Sequence, residues 1–162
     1  MPDTASVTIS DMASAADADA FRTLNEAWIE RFFTLEDEDR KLLGDPVGQI
    51  VEPGGAVFVA RMDDAVVGCV GIMPVGDGDG EYELVKMAVA ADHQGHGTGR
   101  RLIQYAIDRA RAVGARRLVL ETNSALASAV HLYETTGFRH LGPEERHASP
   151  YVRADVAMAL EL

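Results

Sequence analysis

Apolar and polar positions along the chain switch between two periods, and each switch marks an element. Ser6-Val7-Thr8-Ile9-Ser10 alternates, which predicts a first, edge-like strand. From Asp17 to Phe33 the spacing becomes helical, with Ala20, Leu24, Ala27 and Trp28 on one stripe behind acids at the start. Residues 36–43 predict a short second helix, ended by Gly44 and Pro46. Pro53-Gly54-Gly55 then breaks the chain before the apolar run 56–60. Asp63-Asp64 turns that run into a second one at 66–73, which predicts an antiparallel hairpin. Residues 83–89 form another strand-like run. After a glycine-rich stretch, Leu102, Ile103, Ala106, Ile107, Ala110 and Val113 mark the buried face of a helix that stops at Gly114. Residues 117–121 predict a strand and residues 126–134 a helix closed by Gly137. Segments 138–141 and 151–160 predict two last strands. The order is β-αα-βββ-α-β-α-ββ, an α/β arrangement of helices about a mixed, mostly antiparallel sheet.

At 162 residues without repeats or linkers, the chain is expected to form one domain over 1–162. It holds no apolar run near the ~20 residues of a membrane span. Its start, Met1-Pro2-Asp3-Thr4, lacks the pattern of a secretory signal. A single cysteine, Cys69, leaves no internal disulfide and makes a reducing cytoplasm the expected compartment. Its apolar neighbours favour packing over nucleophilic work. A net charge of −11 argues against nucleic acid as a partner. The acids gather in the first 99 residues, whereas Arg100, Arg101, Arg109, Arg111, Arg116 and Arg117 make the following segment basic. That division suits an anionic co-substrate beside a cationic acceptor.

The chemistry concentrates in Gln94-Gly95-His96-Gly97-Thr98-Gly99, between the strand 83–89 and the helix that follows. A glycine-rich turn opening a helix presents free N–H groups at the positive end of the helix dipole, which suits a phosphate or pyrophosphate. A phosphate-binding loop of the Walker type requires Gly-Lys-Ser/Thr where this chain has Gly99-Arg100-Arg101. A dinucleotide fingerprint requires a third glycine where this chain has Leu102.

The spacing Q-x-x-G-x-G of residues 94–99 resembles the acetyl-CoA-binding motif of the GNAT superfamily of N-acetyltransferases. Leu132-Tyr133-Glu134-Thr135-Thr136-Gly137-Phe138 is similar to that family's LYExxGF signature, in the right order and at about the right distance. The resemblance covers roughly residues 55 to 162, and the first 55 match in pattern only. It implies a GNAT fold and an enzyme that passes the acetyl group of acetyl-CoA to a primary amine by direct attack, with no metal and no covalent acyl-enzyme. The acceptor stays open among a small amine, an amino acid and a peptide N-terminus. A non-catalytic acyl-CoA-binding regulatory module is the alternative, and a homodimer through the strand 151–160 is possible in such a family.

The resemblance also implies site residues. Amides of Gln94, Gly95, His96, Gly97, Thr98, Gly99 and Arg100 would hold the pyrophosphate. Backbone groups of Met87, Ala88 and Val89 would pair with the pantetheine arm, the Met87 amide serving as oxyanion donor. Tyr133 is the expected acid for the leaving thiolate, since a phenol keeps its proton at neutral pH. Glu83, expected on the same strand face as Val85, Met87 and Val89, is the candidate base, directly or through water. Asn123 is a candidate pantetheine partner, although the family's asparagine position falls on Leu126 here.

Acids at Glu36, Asp37, Glu38, Asp39, Asp77, Asp79 and Glu81 are expected to draw a cationic amine to the acceptor side. His93 and His96 lack companions at metal-ligand spacing. The loop 76–80 lacks the bidentate glutamate of a calcium loop. No hydrolase motif accompanies His131, His140 or His147.

Overall fold

The computed structural model describes residues 7–76 and 79–162. Met1–Ser6, with the first residue of the predicted edge strand, and Asp77 and Gly78 of the acidic loop lie outside the described residues. In chain order the elements are β1 (Thr8–Asp11), α1 (Ala15–Phe32), α2 (Asp37–Gly44), β2 (Ala56–Met62), β3 (Ala65–Pro74), β4 (Glu81–Val89), α3 (Thr98–Ala112), β5 (Arg117–Thr122), α4 (Ala127–Thr135), β6 (Arg139–His140) and β7 (Val156–Glu161). One sheet of seven strands runs β1-β2-β3-β4-β5-β7-β6. All its pairs are antiparallel except β4 with β5. This is the predicted architecture, with an added wide helical turn at Val47–Val51.

Side chains of successive strand residues point to opposite faces, and the core divides accordingly. On β2, Val57 and Val59 pack with Phe21, Ile29, Leu42 and Leu43 of the first two helices. Phe58 and Ala60 pack on the other face with Leu102, Ile103 and Ile107 of α3. Burying those three α3 side chains stabilises the fold by roughly 1.5–3 kcal/mol each. Val113, expected on that face, is exposed because it caps α3 where the chain turns at Gly114, φ +83°.

The stripe of α1 also sits one residue away from its expected place. Asp17, Phe21, Asn25 and Ile29 are buried, while Leu24 and Trp28 pack at the margin. Asp17 can be buried because the Arg61 guanidinium meets both of its carboxylate oxygens and Ser14 caps the helix. Asn25 donates to the Phe21 carbonyl and to the Cys69 thiol. Burial pushes that thiol up to about 12, which suits packing and not nucleophilic work.

The last two strands are shorter than the sequence predicts. Residues 151–155 leave the sheet because Tyr151 and Arg153 turn towards α2 and β4 to meet buried partners. β7 also lies between β5 and β6 in the sheet, with β6 pairing at Met158 and Ala159.

Candidate active site

Two irregularities of β4 create the site. Its parallel ladder with β5 runs through Glu81↔Arg117, Tyr82↔Leu118 and Glu83↔Val119 and stops, although both strands continue. Opposite β3, the register passes from Gly71↔Val85 to Cys69↔Ala88, so Lys86 and Met87 together face the single residue Val70. Such a bulge bends the strand and resets the alternation of its side chains. Lys86 adopts φ +55° to make it.

The bulge corrects the expected placement of Glu83. Val85 and Ala88 pack on the α1 face, whereas Met87 and Val89 pack on the α3 face. Glu83 therefore shares a face with Val85 but not with Met87 and Val89.

Two cavities flank the split. One, of about 130 Å³, is lined by Glu83, Lys86, Glu121, Tyr133, Tyr151 and Arg153 among others. The other, of about 380 Å³, runs along Met87, Ala88 and Val89 to Gln94, Gly95, Gly97, Thr98, Gly99 and Arg100. Trp28, Met87 and Ala129 line both, so the cavities meet at the bulge.

The glycine loop uses the conformational freedom of its glycines. Gly95 and Gly97 hold φ of +82° and +81°, values that L side chains rarely adopt. Gly97 is the N-cap of α3, and the first helical bond runs from the Arg101 N–H to the Gly97 carbonyl at 3.1 Å. The N–H groups of Thr98, Gly99 and Arg100 thus have no intrahelical acceptor. Gly99 is tight for another reason: a Cβ there would meet Leu132 at 3.3 Å. His96, the remaining loop residue, is exposed and does not line this cavity, whereas His93 and His131 do. Arg101 turns away and donates to the Val7 carbonyl at 2.7 Å. Open amides, a helix dipole and an elongated cavity leading to the bulge fit a pyrophosphate with an extended arm.

Tyr133, on α4, is buried, and burial pushes its phenol up to about 12. Glu83 is pushed up to about 7, first by burial and then by the neighbouring charge of Glu121. No motif marks Glu121 in the sequence, where it reads as the end of a strand. Asn123 lines the smaller cavity and not the larger. Its amide donates to the Arg153 carbonyl, and its side-chain oxygen accepts from the Ala125 N–H at 2.8 Å. That placement makes Asn123 a brace for the loop before β7.

The acids expected to attract the acceptor are largely paired. Asp39 is fully buried and takes a bidentate pair of bonds from Arg153, both 2.7 Å, a bond from the Lys86 ammonium and one from the Glu36 N–H. Burial alone would raise its pKa, but these partners hold it at about 2. Glu36 binds Arg153 and the Val152 N–H. Glu81 faces His147 and Arg117. Asp37 pairs with Arg40 at 3.1 Å.

Comparison with known proteins agrees with this geometry. The model of the Acetyltransferase (GNAT) family matches residues 16–138. The chain is 29% identical to an uncharacterized N-acetyltransferase of Schizosaccharomyces pombe over 160 residues, covering 96% of this chain and 95% of that one. It is 36% identical over 91 residues to the uncharacterized N-acetyltransferase YjgM of Escherichia coli, covering 56% and 54% of the two chains. With human N-acetyltransferase 8B it shares 32% over 99 residues, covering 59% and 44%. The chain thus spans about half the length of several of the curated relatives it matches. A GNAT acetyltransferase structure from Staphylococcus aureus superimposes with a TM-score of 0.86 at 15% identity, over 96% and 99% of the chains. A putative acetyltransferase from Salmonella typhimurium, solved with acetyl-CoA, has a TM-score of 0.75 at 25% identity over 96% and 94%. No helix among the described residues is long and apolar enough to cross a membrane.

Proposed function

Because the chain belongs to the acetyltransferase (GNAT) family and is an N-acetyltransferase of that family, we propose that it transfers the acetyl group of acetyl-CoA to a primary amine by direct attack on the thioester. The observation that carries this is the meeting of the two cavities at Met87, between the glycine loop on one side and Glu83 with Tyr133 on the other. Acetyl-CoA supplies an activated acyl carbon and a thiolate leaving group.

The open amides of Thr98, Gly99 and Arg100 would take the pyrophosphate, and residues 87–89 would align the pantetheine arm. Glu83 is suited to accept a proton from the incoming ammonium, because a carboxyl near 7 exchanges protons at neutral pH. Its position in the smaller cavity supports placing the acceptor there. The Tyr133 hydroxyl, protonated throughout the neutral range, is suited to donate to the departing sulfur. The Met87 amide, at the bulge, is the proposed donor to the developing oxyanion.

Calorimetric titration with acetyl-CoA, followed by a thiol-release screen over amines, tests this. Binding with amine-dependent release is expected. Tyr133→Phe should lower kcat and leave acetyl-CoA affinity nearly unchanged. Binding without release from any amine would favour a non-catalytic module, and no binding would overturn the co-substrate assignment.

A further inference from the structure

The smaller cavity carries an unusual charge arrangement. Its two cations are committed: Lys86 and Arg153 both bind Asp39, and Arg153 also binds Glu36 at 3.2 Å. Two carboxylates therefore balance two cations, all largely or fully withdrawn from solvent. Glu83 and Glu121 line the same cavity, and among the described residues neither has a hydrogen-bond or ion-pair partner. The surplus charge facing an acceptor is thus negative. Beside the neutral polar side chains of Asn25, Thr122 and Asn123, the wall carries an apolar and aromatic group formed by Trp28, Ile29, Phe33 and Leu126.

We propose that the acceptor is a cationic amine with an apolar body and no carboxylate beside the reacting nitrogen, such as an arylalkylamine or an amino group whose carboxyl is capped as an amide. The site would reject free α-amino acids. This rests on the assignment of the smaller cavity to the acceptor. An ammonium group complements Glu83 and Glu121, while its apolar substituent covers Trp28 and Phe33.

An α-carboxylate would face those same two acids with no free countercharge. To be held, it would have to draw Lys86 or Arg153 away from Asp39. That would leave a fully buried carboxylate short of partners, which is strongly unfavourable. Asp39 therefore acts as a positioning residue for specificity: it touches no acceptor, but it makes both cations unavailable to a substrate carboxylate.

The test is calorimetric titration of the CoA-loaded protein with phenethylamine, phenylalaninamide and phenylalanine at neutral pH. The first two should bind at least about tenfold more tightly than phenylalanine, the scale expected when one like charge is brought close to others in a partly dry cleft. Glu121→Gln should narrow that gap. Phenylalanine binding as well as its amide would overturn the proposal, as would failure of all three to bind. An unchanged gap in Glu121→Gln would overturn the part assigned to Glu121. Failure of CoA itself to load would instead overturn the proposed function, so the two failures are distinguishable.

Discussion

Replacing Glu83 with glutamine removes one titrating proton acceptor and little volume, and the structure sets the size of the effect. The carboxyl stands at about 7 against an ordinary 4.5. Near pH 7 about half of it is ionised, and at pH 6 only about a tenth. If Glu83 takes the ammonium proton, wild-type kcat/KM should fall about tenfold per pH unit below that value and level off above it. Glu83→Gln should lose this limb and, near pH 7.5, about 10²-fold in rate, the lower range for a positioned general base. Acetyl-CoA affinity should hold, because Glu83 lines the smaller cavity and not the one that reaches the glycine loop.

The cause of the shift can be tested in the same assay. Glu121→Gln removes the second contribution and leaves burial, so the acidic limb should move to lower pH without reaching the ordinary value. Stability should respond in a related way. A carboxyl whose folded pKa is raised contributes stability that is complete below about 4.5 and is lost as pH rises through about 7. Glu83→Gln never charges, so it should stabilise the protein at pH 8 relative to pH 4, by roughly 3 kcal/mol at most. Initial rates of thiol release from pH 5.5 to 9, with melting curves at the same points, supply both readouts. A Glu83→Gln enzyme that keeps the wild-type limb would refute the base assignment, and an unchanged limb in Glu121→Gln would refute the electrostatic cause.

Two further perturbations address other parts of the site. Gly97→Ala adds a Cβ that meets nothing within 4 Å, so its cost is the backbone strain of φ +81° alone. That strain is about 1–2 kcal/mol, and relieving it would turn the first-turn amides away. Acetyl-CoA should then bind roughly 5- to 30-fold more weakly by calorimetry, and an unchanged Kd would remove the loop from the binding site. Asp39→Ala leaves Lys86 and Arg153 without their shared acid and should destabilise the fold by about 3–5 kcal/mol in urea titrations at pH 7. Because the folded pKa of Asp39 is depressed, its contribution is present above about 3.8 and lost as pH falls towards about 2. The gap between Asp39→Ala and wild type should therefore shrink at strongly acid pH, and a constant gap would contradict the ion-pair account.

Local chemistry was legible in the sequence. Periods of two and 3.6 marked the elements, because a strand or helix must show one apolar face to the sheet's two core layers. The glycine loop was legible because Gly95 and Gly97 adopt a backbone conformation that few other residues tolerate. Tyr133 and its neighbours carried a recognisable signature in one contiguous segment.

What the sequence could not decide were features that need distant parts of the chain. The bulge at Lys86 uses a positive φ without a glycine, so no residue type announces it, yet it moves Glu83 off the face of Met87 and Val89. Lys86 and Asp39 are 47 residues apart, and Arg153 and Asp39 are 114 apart. Only the folded chain spends those charges on one another. Asp39, one acid of a stretch that looked like an attractor for cations, thus becomes a buried brace, and Glu83 and Glu121 are left in the smaller cavity without a paired cation among the described residues. Local conformational preference specified the elements and the glycine loop with its open amides; burial and long-range pairing decided which charged groups remained unpaired.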